Sequence, residues 1–140
     1  MKKNDANDFL KFINIIKSIS KKCDNIVNEA SEGLDLSILQ SRILLMIYFE
    51  NDDIKVSDIS RKMAFASSNV STIINTLVDK RCLVKNRSKK DQRTVYVSLT
   101  PNGYKTCEIL IENMDGFDCR DESKYINILE DIDFDLKIKD

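Results

Sequence analysis

Apolar residues recur at three- and four-residue steps near the start of the chain: Phe9, Phe12, Ile13, Ile16, Ile19, Cys23, Ile26 and Val27. That period predicts a helix over 8–30, broken at Gly33. A second helix is expected from Leu36 to Glu50, apolar on nearly every side at Ile43-Leu44-Leu45-Met46-Ile47. A helix of that kind belongs at the centre of a core. Lys55-Val56 begins a short helix with Ile59 and Met63 facing inward, and Ala64-Phe65-Ala66 makes a turn. Ser67 is the expected N-cap of a helix over 68–80. Val70, Ile73, Ile74 and Leu77 share its inner face. Ser68, Ser71, Thr72 and Asn75 lie opposite, flanked by Asn69 and Thr76.

The pattern then shortens to that of strands. Cys82-Leu83-Val84 and Thr94-Val95-Tyr96-Val97-Ser98-Leu99 enclose a polar, basic tip, which predicts a hairpin. Thr100 as N-cap and Pro101 at the first helical position start another helix, running to about Met114 or Phe117. Gly116 and Asp118 mark a break. A last, acidic helix over 121–138 carries Tyr125, Ile128, Leu129, Ile132 and Leu136. Two short helices joined by a tight turn form a helix-turn-helix, and a hairpin directly after it is a wing. The expected fold is mostly α (α+β): a winged helix-turn-helix with a two-stranded β wing, plus N- and C-terminal helices.

Composition limits the chemistry. At 140 residues and 42% hydrophobic, the chain suits one globular domain with a real core. The longest uncharged apolar run, Ile43 to Phe49, is far short of the about 20 residues a bilayer requires. Met1-Lys2-Lys3 is followed by polar Asn4-Asp5-Ala6-Asn7-Asp8 where a secretory signal would be apolar. The expectation is a cytoplasmic protein with no membrane partner. The absence of histidine removes His-based general bases, Ser-His triads and His-ligated metals. Cys23, Cys82, Cys107 and Cys119 show no CxxC spacing. They are read as reduced, small hydrophobes, with Cys23 or Cys119 left open as an exposed thiol. With no nucleophile, acid–base pair or metal cluster in view, no enzymatic activity and no cofactor are expected.

The net charge of −1 hides a segregation. Between Lys55 and Lys105 stand seven Lys and four Arg against three Asp and no Glu, a net +8, so the remainder carries −9. A basic middle in an acidic chain is the footprint of a polyanion partner.

Asp91-Gln92-Arg93-Thr94-Val95-Tyr96-Val97-Ser98-Leu99-Thr100-Pro101-Asn102-Gly103 resembles the wing signature Asp-x-Arg-x-x-x-Val-x-Leu-Thr-x-x-Gly of the MarR (multiple antibiotic resistance regulator) family. Val56, Ile59 and Met63, then Ser67, Val70, Ser71, Ile73, Ile74 and Leu77, fit that family's paired helices without a gap. The order of flanking helices matches as well. One departure is Arg81, which stands after the recognition helix where Gly is favoured because φ is positive. Arg81 implies either a different turn or a modest strain.

The expected site follows. The helix over 68–80 is about 20 Å long, which fits a major groove. Its first turn offers free N–H groups to phosphate, and Ser67, Ser68 and Thr72 can add hydroxyl contacts. Asn69 and Asn75 are the residue type that pairs bidentately with adenine, so readout is expected to lean toward A·T. Ser71 and Thr76 complete the recognition face. Lys85, Arg87, Lys89, Lys90 and Arg93 form a basic wing. Arg87 or Arg93 suits the adjacent minor groove, and the resemblance assigns that role to Arg93. Asp91 is read as a wing-structuring residue, taking hydrogen bonds from the loop or pairing with an arginine.

The terminal helices carry more apolar surface than one small winged unit needs. The chain is therefore read as a single domain, 1–140, with a dimerisation region at 1–33 and 101–140 and a DNA-binding region at 34–100. The resemblance also implies the homodimer. The function expected is that of a DNA-binding transcription regulator, a repressor, acting on a pseudo-palindromic operator. The partners are double-stranded DNA and a second copy, with a small-molecule effector left open. The alternative is a winged-helix adaptor that binds protein and has little DNA affinity.

Overall fold

A computed structural model describes residues 1–50, 53–64, 67–115 and 122–136. Helix α1 spans Lys3–Ala30, five residues earlier than its apolar period predicts. The extra turn is polar and exposed, so it leaves no trace in the hydrophobic pattern. The helix closes at buried Ser31, whose Oγ donates to the Val27 carbonyl (2.6 Å) and lies 2.7 Å from the Oγ of buried Ser41. Asn113 Nδ2 donates to the Ala30 carbonyl over 2.9 Å. These bonds fix the end of α1 to its neighbours. The chain then reverses through Gly33 (φ 80°) and Asp35 (φ 54°).

Helix α2, Ile38–Glu50, starts with a reciprocal cap made by polar residues, which leave no mark in the apolar pattern. Ser37 Oγ accepts from the Gln40 N–H and Gln40 Oε1 accepts from the Ser37 N–H, both over 3.1 Å. This is the S-x-x-Q capping box. Ile43, Leu44 and Ile47 of α2 are buried at the centre of the core. They meet Ile59 and Met63 of α3 (Val56–Met63), Val70, Ile74 and Leu77 of α4 (Ser67–Asp79), and Cys107 of α5 (Pro101–Met114). Ser67 is thus the first residue of α4 and not the cap preceding it, a shift of one position. Phe65 and Ala66 of the expected turn, and Cys119 with the break around Gly116, lie outside the described residues.

The sheet has three strands where the sequence predicts two. Strands β2 (Leu83–Arg87) and β3 (Val95–Leu99) form the antiparallel hairpin, with Leu83 opposite Leu99, Lys85 opposite Val97 and Arg87 opposite Val95. The third strand, β1 (Ile54–Lys55), adds to the other edge of β3, Ile54 opposite Val97. A two-residue strand is held by backbone pairing and is too short to show alternation. It ties the start of α3 directly to the wing.

The junction from α4 to the wing explains the Leu-Thr-x-x-Gly run. The Cys82 N–H bonds the Leu77 carbonyl and the Arg81 N–H bonds the Val78 carbonyl, both at 2.9 Å. That is a Schellman closure, and it places Arg81 at φ 59°. The usual turn is therefore kept, with a non-glycine residue held left-handed. Thr100 Oγ1 donates to the Arg81 carbonyl (2.6 Å) and accepts from the Gly103 N–H (3.0 Å), capping α5 while holding the turn. Gly103 sits against this turn so closely that a Cβ there would lie 2.1 Å from the Cys82 carbonyl oxygen.

The last helix, α6 (Glu122–Asp135), makes no substantial contact with the other described elements. Among the described residues, no helix is long and apolar enough to cross a membrane.

Candidate nucleic-acid interface

Helix α4 is amphipathic for a plain reason: its buried positions, Val70, Ile74 and Leu77, recur every three or four residues. Ile73 and Val78 are half-buried against the same core, and the polar positions are turned outward. Ser68, Asn69, Ser71, Thr72 and Asn75 are exposed and Thr76 is half-buried. Ser67 begins the helix, and its side chain lies outside the described residues. Thr72 Oγ1 donates to the Ser68 carbonyl (3.0 Å) and Thr76 Oγ1 to the Thr72 carbonyl (3.1 Å). Both hydroxyls spend their proton on the helix and present lone pairs outward. Asn69 makes no side-chain hydrogen bond among the described residues.

The wing loop is built by short-range bonds. Asp91 Oδ1 accepts from the Arg93 N–H (3.0 Å), and its Oδ2 accepts from Thr94 Oγ1 (3.2 Å). The Thr94 N–H donates to the Asp91 carbonyl, and the Ser88 N–H to the Thr94 carbonyl, each at 3.0 Å. Ser88 Oγ receives the N–H groups of Lys90 and Asp91. The basic side chains divide into three kinds. Arg87 Nη1 donates to the Gln92 carbonyl (3.0 Å), which pins it to the loop. Lys89 and Lys90 are exposed at the tip. Arg93 lines a cleft of about 380 Å³ between the wing, α3 and α4, with Lys55, Ser57, Ser71, Lys85 and Thr94.

Two contacts join the wing to its surroundings. Lys85 Nζ, on β2, donates to Asn75 Oδ1, on α4. Lys55 Nζ stands 5.9 Å from the centre of the Tyr96 ring, within cation–π range. Pattern reasoning did not single out Lys55 or Ser57. Their signal is the pairing of β1 with β3, which sequence alone does not reveal. Lys80, the cation that directly follows α4, is turned away from this face. It donates to the Asp35 carbonyl, lies 3.5 Å from Asp35 Oδ2 and 3.4 Å from Gln40 Oε1.

The described cysteines are free thiols elsewhere in the molecule, Cys23 exposed, Cys82 and Cys107 buried. Burial, then the neighbouring Cys82 and Glu108, pushes the Cys107 thiol up to about 12, so it stays protonated at neutral pH.

The geometry, a polar helix face beside a braced basic hairpin, agrees with a family comparison. The family model for the transcriptional regulator SarA/Rot matches residues 25–110. The chain belongs to the SarA/Rot family of transcriptional regulators. Its fold is the MarR-type winged helix, and its family is one of regulators, not enzymes. Similar curated proteins include two uncharacterized HTH-type transcriptional regulators of Bacillus subtilis (strain 168). YfiV is 33% identical over 79 residues, 56% of this chain and 49% of YfiV. The match thus spans about half the length of that relative. YpoP is 25% identical over 118 residues, 80% of this chain and 84% of YpoP. Among solved structures, overoxidized AbfR bound to DNA has TM-score 0.80 at 18% identity, covering 96% of each chain. A mutant MarR from E. coli complexed with operator DNA has TM-score 0.71 at 19% identity, covering 90% of this chain and 96% of MarR. Those similarities are of fold.

Proposed function

We propose that this SarA/Rot-family regulator binds double-stranded DNA as a homodimer and represses by occupying a pseudo-palindromic operator. Helix α4 enters the major groove, with Ser67, Ser68, Asn69, Ser71, Thr72, Asn75 and Thr76 facing the duplex. The basic wing of Lys85, Arg87, Lys89, Lys90 and Arg93 lies along the duplex: Arg87, Lys89 and Lys90 follow the backbone, Lys85 stands beside Asn75, and Arg93 reaches the minor groove. Asp91 holds the wing in shape through its bonds to residues 93 and 94. An A·T lean rests on Asn69, whose amide is unengaged, and on the narrow minor groove of A·T-rich sequence.

The observation that carries this reading is the coupling of an uncharged polar helix face to a braced basic hairpin in one unit. The DNA-bound state of the similar AbfR and MarR structures supports it. The dimer is supported by exposed apolar residues on α1 (Leu10, Ile15, Ile19) and on α6 (Tyr125, Ile126, Ile128), which one copy leaves uncovered. The chain then divides into a dimerisation region, 1–33 and 101–140, and a DNA-binding region, 34–100, within one domain. A DNA partner implies action in the cytoplasm.

The test is fluorescence anisotropy on mixed genomic duplexes across a salt series. Six to eight phosphate contacts give a slope of log K against log salt of about −5 to −7. Absent or salt-insensitive binding would overturn the proposal in favour of a protein-binding adaptor.

A further inference from the structure

The contact between the wing and the recognition helix fixes which hydrogen-bonding groups that helix can offer. A lysine ammonium has three donors and no acceptor, so the atom of Asn75 that it touches is the carboxamide oxygen. With Oδ1 turned to Lys85 Nζ, the outward half of the Asn75 amide is its Nδ2 amino group. Lys85 keeps two further protons for the solvent side. Wing and helix together therefore present adjacent donors, Nδ2 and Nζ. Thr72, one helical turn back, presents only lone pairs, because its proton goes to the Ser68 carbonyl.

In the major groove, guanine shows two acceptors side by side, N7 and O6. Adenine shows one acceptor and one donor, and its amino group would approach Oδ1 beside a positive charge. We infer that Lys85 is a positioning residue for base recognition, setting Asn75 as a donor so that the pair reads guanine. This rests on the DNA-binding reading above and replaces, at this one position, the adenine expected of a free asparagine. The contact is already present in the chain without DNA. Both residues are exposed. The contact strengthens when a duplex excludes water from it.

Selection of bound sequences from a randomised duplex library, using the purified full chain, tests the inference. The wild type is expected to enrich one G·C pair per half-site, by about tenfold over A·T at that position. Asn75→Ala should lose the preference at that position alone. Lys85→Met frees Oδ1, so adenine should replace guanine at the same position while the rest of the site is retained. If Lys85→Met binds more weakly yet keeps every wild-type base, Lys85 is a phosphate contact and the inference fails. An adenine at the Asn75-dependent position of the wild type also overturns it. A wild type that enriches no sequence and binds no duplex sinks the DNA-binding reading, and this inference with it.

Discussion

Arg81 and Gly103 are joined through Thr100 at the turn that launches the wing, and each carries a conformational requirement. Arg81 is held at φ 59°, a region that disfavours residues with a Cβ by about 1 kcal/mol. Arg81→Gly removes that strain and adds unfolded-state freedom, so the net gain is about 0.5 kcal/mol. Thermal denaturation should show a midpoint raised by one or two degrees. Gly103 is the opposite case. A methyl group there would stand 2.1 Å from a backbone carbonyl that is itself bonded to the Thr100 N–H. Gly103→Ala should cost about 3 kcal/mol, read as a clear fall in the urea midpoint. Both residues stand out in the sequence, one by resembling a family signature and the other by departing from it. The reason for Arg81 is the local closure of α4, and that for Gly103 is a contact with a segment about 20 positions away.

At the scale of elements, the wing is a braced ribbon. Asp91 and Ser88 together accept backbone N–H groups from Lys90, Asp91 and Arg93. Arg87 is pinned to the loop, whereas Arg93 makes no side-chain hydrogen bond among the described residues. Arg93→Ala should therefore weaken binding to every duplex and make the salt slope shallower by about one. The folded state should be unaffected, because no described bond is lost from that side chain. An unchanged affinity in the anisotropy series would remove Arg93 from the interface. The hairpin and α4 are legible from the change in apolar spacing. Strand β1 is not, since two residues cannot display a period, and with it goes the place of Lys55 beside the wing.

On the scale of the whole molecule, the two ends differ from the middle. Helices α2, α3 and α4, the sheet and the start of α5 share one apolar core around α2, while much of α1 is exposed and α6 makes no substantial contact with the other described elements. Leu10 is 55% exposed and Ile128 53%, more than an apolar stripe keeps once it is packed against a neighbour. A second copy is the proposed cover. Sedimentation velocity should give a dimer at micromolar concentration. Leu10→Asp should shift it toward monomer and, since one winged helix reads only a few base pairs, weaken operator binding by about tenfold or more. The monomer fold should persist, because Leu10 makes no part of its core.

The apolar spacing of this chain, by itself, determined where the long helices and the hairpin lie, because burial imposes a helical or two-residue period on neighbouring positions. The clustering of cations between 55 and 105, also local, marked the segment that carries the proposed DNA contacts. Only the tertiary structure decided that Ile54–Lys55 is a strand, that Lys80 turns away, and that Asn75 gives its oxygen to Lys85. These depend on which segments meet in space, and backbone pairing or a single long side chain leaves no period along the chain to announce the partner.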